Sequence, residues 1–366
     1  MSAFSAAESA YMARALRLAA RGQYAAHPNP MVGCVLVRDG DIVGEGWHEI
    51  AGEAHAEINA LTAAGDQAAG ATAYVTLEPC SHEGKTPPCA PALIEAGIAE
   101  AVIAMSDPFP EVAGEGVAAL ESAGIGVRKG LMAEAAAELN QGFLSRVQRG
   151  RPYVRVKVGA SLDGAIAMTS GESQWITGPD ARADVQRLRA RSGAILTGIG
   201  TVLADDPAMN VRRADLDTAG RQPLRAVLDS GLRMPLSAGM LDLPGTTVIY
   251  CADDSGRQPL IDAGADVVRV GAEGDYVDAA AVLADLAKRQ VNNVLVEAGP
   301  IVTGNLLSHR LVDELVIYQA PHIMGSETMS MFQTPGWKAL SDRLTVDVSD
   351  LRRVGRDIRI TVRVVD

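Results

Sequence analysis

The chain has 366 residues, 48% of them hydrophobic and only 4% aromatic, with a net charge of −12. At about 100–200 residues per domain this length predicts two domains, and the Ala-, Val-, Leu- and Gly-rich mix suits α/β layers better than an aromatic-rich sandwich. The acidic balance argues against a nucleic-acid backbone as the main partner, four cysteines are too few for a disulfide framework, and no run of about 18 apolar residues reads as a membrane span.

In chain order, residues 1–24 alternate apolar positions with Arg14, Arg17 and Arg21 and read as an amphipathic helix. They lack the continuous apolar stretch of a secretion signal, so a soluble, cytoplasmic protein with reduced thiols is expected. Residues 33–38 form a strand that turns at Asp39-Gly40 into 42–46, a hairpin pattern. Residues 57–64 have helical spacing, 72–77 read as a buried strand, and 90–96 as a helix closed by Gly97. A strand at 101–104 and a helix at 118–123 follow. The Gly/Pro/Arg break at 148–152 places a domain boundary, giving domains 1–147 and 148–366. Beyond it, strands are expected at 153–158, 194–197, 225–228, 247–250, 267–270, 293–297, 315–318 and 357–365. Helices are expected at 180–191 and 278–290. The helix after Thr177 reads as opening on a capping-box-like start with Pro179 in its first turn.

The chemistry concentrates in two places. In the first half, His55-Ala56-Glu57 precedes Glu78-Pro79-Cys80 and then Cys89, the pattern of zinc deaminases. One imidazole and two thiolates fill three positions on zinc and leave a fourth for water. The metal brings that water's pKa towards about 7. Glu57, two residues from His55, is then spare to carry protons from water to a ring nitrogen and to the leaving ammonia. Cys80 and Cys89 are separated by eight residues, where many deaminases have two. In the second half, Gly198-Ile199-Gly200 follows a strand without completing a Gly-x-Gly-x-x-Gly loop, so a Rossmann reading is weak. The stretch 299–305, Gly299, Pro300, Ile301, Val302, Thr303, Gly304 and Asn305, follows a strand end and opens a helix, a sound place for a pyrophosphate.

The stretch 79–89 (PCSHEGKTPPC) resembles the bifunctional deaminase–reductase family of bacterial riboflavin biosynthesis, as do HPNPMVG at 27–33 and GEGWH at 44–48. Further on, KVGASLDG at 157–164, QWIT at 174–177, TGIGTVLADDP at 197–207 and VEAGP at 296–300 are similar to that family's reductase part. The resemblance implies an α/β chain, with an N-terminal cytidine-deaminase-like three-layer α/β/α domain and a C-terminal dihydrofolate-reductase-like α/β domain. It implies hydrolytic deamination of a diamino-ribosylamino-pyrimidinone 5′-phosphate, followed by NADPH-dependent reduction of the ribosyl group to ribityl.

By the same resemblance, one zinc ion per chain is held by His55, Cys80 and Cys89, with Glu57 as proton shuttle. Asn29, His48, His82 and Lys85 surround the first substrate; the insertion carries His82 and Lys85 to the mouth of the site. Gly159, Trp175, Thr201, Asp205 and 299–305 contact NADPH, with Ala also acceptable at position 159. Ser173, Arg189, Arg212 and Glu297 contact the second substrate, the two arginines at its phosphate, where bidentate guanidinium geometry fits. Lys157 and Asp163 are candidates for orienting the reacting centre. Expected partners are a small phosphorylated pyrimidine and further copies of the chain, in a homodimer or higher homo-oligomer, with neither nucleic acid nor membrane. The rival readings are a nucleic-acid-editing deaminase with an accessory domain, a metabolite-binding regulator that has lost catalysis, and a chain with only one active half. Intact Glu57 and a full ligand set oppose the regulator, and the acidic charge opposes the editor.

Overall fold

The computed structural model describes residues 4–81, 87–109, 113–334 and 336–365. Contacts divide the chain into two units, Met1–Gly150 and Arg151–Asp366.

In the first unit, helix α1 (Ala6–Ala19) opens on a capping box in which Ser5 and Glu8 bond reciprocally. Strands β1 (Gly33–Arg38) and β2 (Asp41–Trp47) form a hairpin. Its two turn residues, Asp39 and Gly40, both have positive φ (53° and 89°), as a tight two-residue loop requires. Helix α2 (Ala56–Ala64), β3 (Thr72–Val75), α3 (Cys89–Glu95), β4 (Glu100–Ile103), α4 (Glu115–Ser122), β5 (Gly126–Lys129), α5 (Ala133–Leu139) and α6 (Gln141–Arg149) complete the unit. The sheet order is β2-β1-β3-β4-β5, antiparallel through β1 and parallel from β3 to β5. One face buries Ala56, Ala60, Leu93 and Leu120 from α2, α3 and α4. The other buries Met12, Ala15 and Leu18 of α1 and Ala136 of α5. Five of the six residues of β1 are buried, as a central strand covered on both faces demands. The result is the expected three-layer α/β/α unit.

Glycine sets how near α2 lies to the sheet. A Cβ on Gly44 would stand 2.3 Å from the Ala60 carbonyl oxygen, and one on Gly46 2.4 Å from that of Ala56. The two glycines let the first turn of α2, which carries Glu57, rest directly on β2.

In the second unit, β6 (Tyr153–Ala160), β7 (Ala165–Met168), α7 (Pro179–Arg191), β8 (Ala194–Gly198), α8 (Ile199–Asp205), β9 (Leu224–Leu228), β10 (Thr247–Cys251), α9 (Gln258–Asp262) and β11 (Asp266–Arg269) come first. Then follow the short pair β12 (Ala272–Glu273) and β13 (Tyr276–Val277), α10 (Ala279–Lys288), β14 (Asn293–Val296), α11 (Pro300–Ser308), β15 (Glu314–Gln319), β16 (Thr328–Ser330), β17 (Thr345–Val354) and β18 (Asp357–Val365). Nine strands join in the order β11-β10-β9-β8-β14-β6-β15-β18-β17. All pairs are parallel up to β15; β18 and β17 close the sheet antiparallel. Strand β14 returns late in the chain to lie between β8 and β6. The ends of β8, β14 and β6, three strands distant in sequence, therefore share one edge, the crevice where open α/β sheets bind ligands.

One local expectation is corrected. Helix α7 has no capping box: its N-cap is Gly178, Pro179 is its first residue, and no side chain of its own caps it. Asp357, at the start of β18, does so instead, accepting from the Gly178 N–H at 2.7 Å. The 299–305 segment opens a helix as expected: Gly299 is the N-cap and the helix begins at Pro300.

Candidate active sites

In the first unit the side chains of His55, Cys80 and Cys89 converge, with their donor atoms all within 4.8 Å of one another. His55 Nδ1 lies 3.2 Å from Cys89 Sγ and 3.5 Å from Cys80 Sγ. A tetrahedral zinc with a Zn–N bond of about 2.0 Å and Zn–S bonds of about 2.3 Å needs an N···S edge of about 3.5 Å. The three donors thus stand nearly where zinc requires them. Two helices aim their N-termini at the cluster: His55 is the N-cap of α2 and Cys89 is the first residue of α3. The Cys89 N–H points at Cys80 Sγ, 3.4 Å away. Hydrogen bonding from Cys89, with further help from His55, holds the Cys80 thiol down to about 4. The Cys89 thiol is pushed far up by its bond to Cys80 and by burial.

Glu57 is buried, and burial pushes its carboxyl up to about 7. A group balanced between its two protonation states near neutral pH suits a proton carrier. His48 is also buried, its ring edge-on to that of His55 at 5.3 Å. Burial lowers its pKa and keeps the ring neutral. Nδ1 of His48 faces the Ala54 carbonyl oxygen at 3.1 Å, so Nδ1 carries the proton and Nε2 accepts from Asn29 Nδ2 at 3.0 Å. This fixes the Asn29 amide with its oxygen turned away from His48. The loop bearing Asn29 is pinned by Asn140, which accepts from the Met31 N–H (2.8 Å) and donates to the Met31 carbonyl (2.9 Å). Asn140 escaped the sequence reading: it bonds 109 residues away, and no local pattern marks it. His82 and Lys85 lie outside the described residues.

In the second unit the sheet-edge crevice gathers most of the remaining candidates. Glu297 follows β14 and is nearly enclosed. It accepts from Arg189 Nε (2.6 Å) and Nη2 (3.0 Å), and Lys157 Nζ stands 3.2 Å away. Burial alone would raise its carboxyl, but Lys157 and Arg189 together hold it at about 2. The remaining Arg189 nitrogen, Nη1, donates to the Asn210 carbonyl. Arg212 is exposed and near enough to Arg189 to be disfavoured by its charge; burial lowers its pKa first. Its side chain makes one long bond, to Asn210 Oδ1 at 3.3 Å. Two cations thus bind one carboxylate, and Arg212 is a third cation nearby.

The N-termini of α8 and α11 meet at the ends of β8 and β14, where a Cβ on Gly198 would stand 2.8 Å from Val302 Cγ2. Neither helix has a side-chain cap, so the first-turn N–H groups of both are open to an anion. Among residues 299–305, Ile301 is exposed, Gly299, Pro300, Val302 and Asn305 are half-buried, and Thr303 and Gly304 are buried. Gly304 is shut against the Gln333 backbone, and Thr303 bonds the Gly299 carbonyl. Trp175 is 66% exposed and lies under the Arg182 guanidinium at 4.4 Å. Its neighbour Gln174 bonds Asp205 at the end of α8 (3.2 Å), while Thr201 is half-buried in the first turn of that helix. Ser173 is half-buried beside this segment. Gly159 faces Thr177, whose Cγ2 would be 3.1 Å from an added Cβ, so even alanine there is tight. Asp163 is engaged locally: its carboxylate accepts from Ser161 Oγ and from the Met324 and Gly325 N–H groups.

The chain is similar to known proteins along nearly all of its length. Residues 152–360 match the RibD C-terminal domain, and residues 5–105 match the cytidine and deoxycytidylate deaminase zinc-binding region. The riboflavin biosynthesis protein RibD of Escherichia coli K12 is 50% identical over 361 residues, covering 95% of this chain and 97% of that one. Its Haemophilus influenzae counterpart is 44% identical, covering 98% of each. An Acinetobacter baumannii RibD structure superposes with a TM-score of 0.91 at 44% identity, over 98% of this chain and 99% of the other. A Thermotoga maritima deaminase/reductase superposes at 0.85 with 32% identity, over the same shares. These likenesses carry both halves, so the protein is a zinc-dependent deaminase joined to an NADPH-dependent reductase. The chain belongs to the RibD family of bifunctional deaminase–reductases of riboflavin biosynthesis.

Proposed function

We propose that the first unit removes the amino group of 2,5-diamino-6-ribosylamino-4(3H)-pyrimidinone 5′-phosphate. The second unit then reduces the ribosyl chain of the product to give 5-amino-6-(5-phosphoribitylamino)uracil. The convergence of His55, Cys80 and Cys89 beside a buried Glu57 carries the first half of this reading. The Thermotoga maritima relative is described as a diaminohydroxyphosphoribosylaminopyrimidine deaminase and 5-amino-6-(5-phosphoribosylamino)uracil reductase, which supports the choice of substrates.

His55, Cys80 and Cys89 would hold zinc, which when bound would acidify a water for attack on the ring. Glu57 takes a proton from the attacking water and passes it to the ring nitrogen, then takes the adduct hydroxyl's proton and passes it to the amino group, which leaves as ammonia as the carbonyl forms. Asn29, locked by neutral His48, offers its amide oxygen to an N–H on the ring edge. His82 and Lys85 are assigned to the same substrate by resemblance.

In the second unit, the uncapped starts of α8 and α11 receive the NADPH phosphates. Gly159, Trp175, Thr201 and Asp205 line the remainder of the cofactor's path. NADPH supplies the hydride, and the chain supplies alignment. Arg212 meets the substrate phosphate, and Arg189 backs it with its charge while holding Glu297 in place. Ser173 and Glu297 face the ribosyl group, with Lys157 and the Asp163 loop as orienting elements.

The chain forms a homodimer or higher homo-oligomer. Strand β17 supports this: Val346, Val348 and Leu351 are 39%, 63% and 65% exposed along an outermost strand, which a second copy would cover. Four unpaired cysteines fit a reducing cytoplasm. Among the described residues no helix is long and apolar enough to cross a membrane.

The test is to give the purified zinc-loaded protein the diamino-pyrimidinone phosphate and, separately, structured RNA. Ammonia from the pyrimidine alone is expected. Ammonia from RNA alone would overturn the substrate assignment and favour an editing deaminase.

A further inference from the structure

Glu78 precedes the first thiolate of the zinc cluster by two residues, and the mechanism above gives it no role. Its side chain is buried, and among the described residues no cation pairs with it. Instead each oxygen accepts one backbone N–H: Oε1 from Val117 and Oε2 from Asp107, both at 3.2 Å. Val117 is the third residue of α4, a helix whose N-cap, Gly114, offers no side chain. Glu78 is therefore the cap of α4, delivered from the end of β3, 39 residues earlier. Its charge meets the positive end of that helix, which is why it can be buried without a cation.

Two further links tie the same helix end to the same loop. A Cβ on Gly116 would fall 1.9 Å from the Pro79 carbonyl oxygen, so α4 touches the backbone just before Cys80. Ser81, just after Cys80, donates to Glu115 Oε2 at 3.0 Å. The Glu78 N–H also bonds the Met105 carbonyl at 3.0 Å. The residues on both sides of Cys80 are thus fastened to one helix N-terminus, and Glu78 is the only charged, buried member of that fastening among the described residues.

We infer that Glu78 is a positioning residue for the metal centre: by capping α4 and holding the 105–107 loop, it fixes where Cys80 presents its thiolate. The inference rests on Cys80 being a zinc ligand. A ligand held in place by outer contacts binds metal more tightly than one that must be ordered on binding, and loss of such contacts costs roughly 10–100-fold in affinity.

The experiment uses the full-length protein stripped of metal by chelator. Zn²⁺ is then titrated in competition with a chromophoric chelator, and the visible spectrum of the Co²⁺ form is recorded. Glu78→Ala, Glu78→Gln, Cys80→Ser and Leu18→Ala are compared with the wild type. Leu18 is buried in the opposite layer of the same unit, so Leu18→Ala loosens the fold without touching the loop. Glu78→Ala should bind zinc roughly 10–100-fold more weakly and broaden the Co²⁺ bands. Glu78→Gln, which keeps one acceptor oxygen and presents an NH₂ to the other N–H, should fall between it and the wild type. Leu18→Ala should stay within about threefold of wild type despite a lowered Tm. If Leu18→Ala weakens zinc as much as Glu78→Ala does, Glu78 serves general stability and the inference fails. It also fails if Glu78→Gln keeps wild-type affinity and spectrum, a result that stands even where Glu78→Ala does not fold. Wild-type zinc binding by Cys80→Ser would overturn the ligand assignment itself, and is read independently of the Glu78 variants.

Discussion

Replacing Glu297 with glutamine should weaken the second unit in a way that depends on pH. The wild-type carboxylate is nearly enclosed and bound by Arg189 at 2.6 and 3.0 Å and by Lys157 at 3.2 Å. A carboxyl held at about 2 against an ordinary value of 4.5 corresponds to about 3 kcal/mol of stabilisation. Because the folded-state value is depressed, that stabilisation is complete above about pH 4.5 and drains away as pH falls towards 2. In Glu297→Gln two cations remain beside a neutral amide, so a cost of about 3 kcal/mol is expected at pH 7. By pH 3 the gap between variant and wild type should shrink to less than half. Urea unfolding followed at several pH values measures it, and ammonia release reports separately that the first unit is intact. A variant as stable as wild type at pH 7, or a stability gap unchanged between pH 7 and pH 3, would refute the reasoning.

Other perturbations address the first unit. Glu57→Gln should keep its zinc and lose about 10²–10⁴-fold in ammonia release, as read by metal analysis and a coupled ammonia assay. Zinc binding should weaken as pH falls, because the Cys89 thiol, pushed up by its bond to Cys80 and by burial, must give up its proton to bind the metal; proton release on Zn²⁺ addition near pH 7, followed with an indicator dye, checks this. Gly46→Ala puts a methyl 2.4 Å from the Ala56 carbonyl oxygen and should cost about 1–3 kcal/mol while shifting Glu57. Its ammonia release should fall while NADPH oxidation with the deaminated uracil stays normal. Asn29→Asp should lose substrate binding without losing metal, since a carboxylate cannot donate to the neutral His48 ring as the amide does. A KM and zinc-content comparison separates the two effects.

What the sequence made legible was local. The run of buried residues in β1, the Asp39-Gly40 turn and the His-x-Glu pair at the start of α2 all announce themselves within a few positions. The short strand β5, half-exposed and carrying Arg128 and Lys129, has too weak an apolar pattern to be expected. Strand β17 is missed for a related reason: it is exposed on both faces, so no buried face marks it. Helices α5 and α6 meet at Asn140 without a Gly or Pro to separate them. The cap of α7 was misread because its partner, Asp357, lies 179 residues away. The zinc cluster was legible because its donor types are rare and ordered. The Arg189–Glu297 clasp was not, because it spans 108 residues and looks in sequence like a charged helix face. Two guanidinium nitrogens of Arg189 bond Glu297, which leaves Arg212 as the more open cation of the pair expected at the phosphate.

The central claim is that two sites act in sequence on one small molecule. It is tested most directly by following ammonia release and NADPH oxidation together in wild type and Glu57→Gln. With the diamino-pyrimidinone phosphate, wild type should show both signals and Glu57→Gln neither. Supplying the deaminated uracil should restore NADPH oxidation to the variant. If wild type released no ammonia, or if Glu57→Gln still oxidised NADPH with the diamino compound, two sites working in that order would be contradicted.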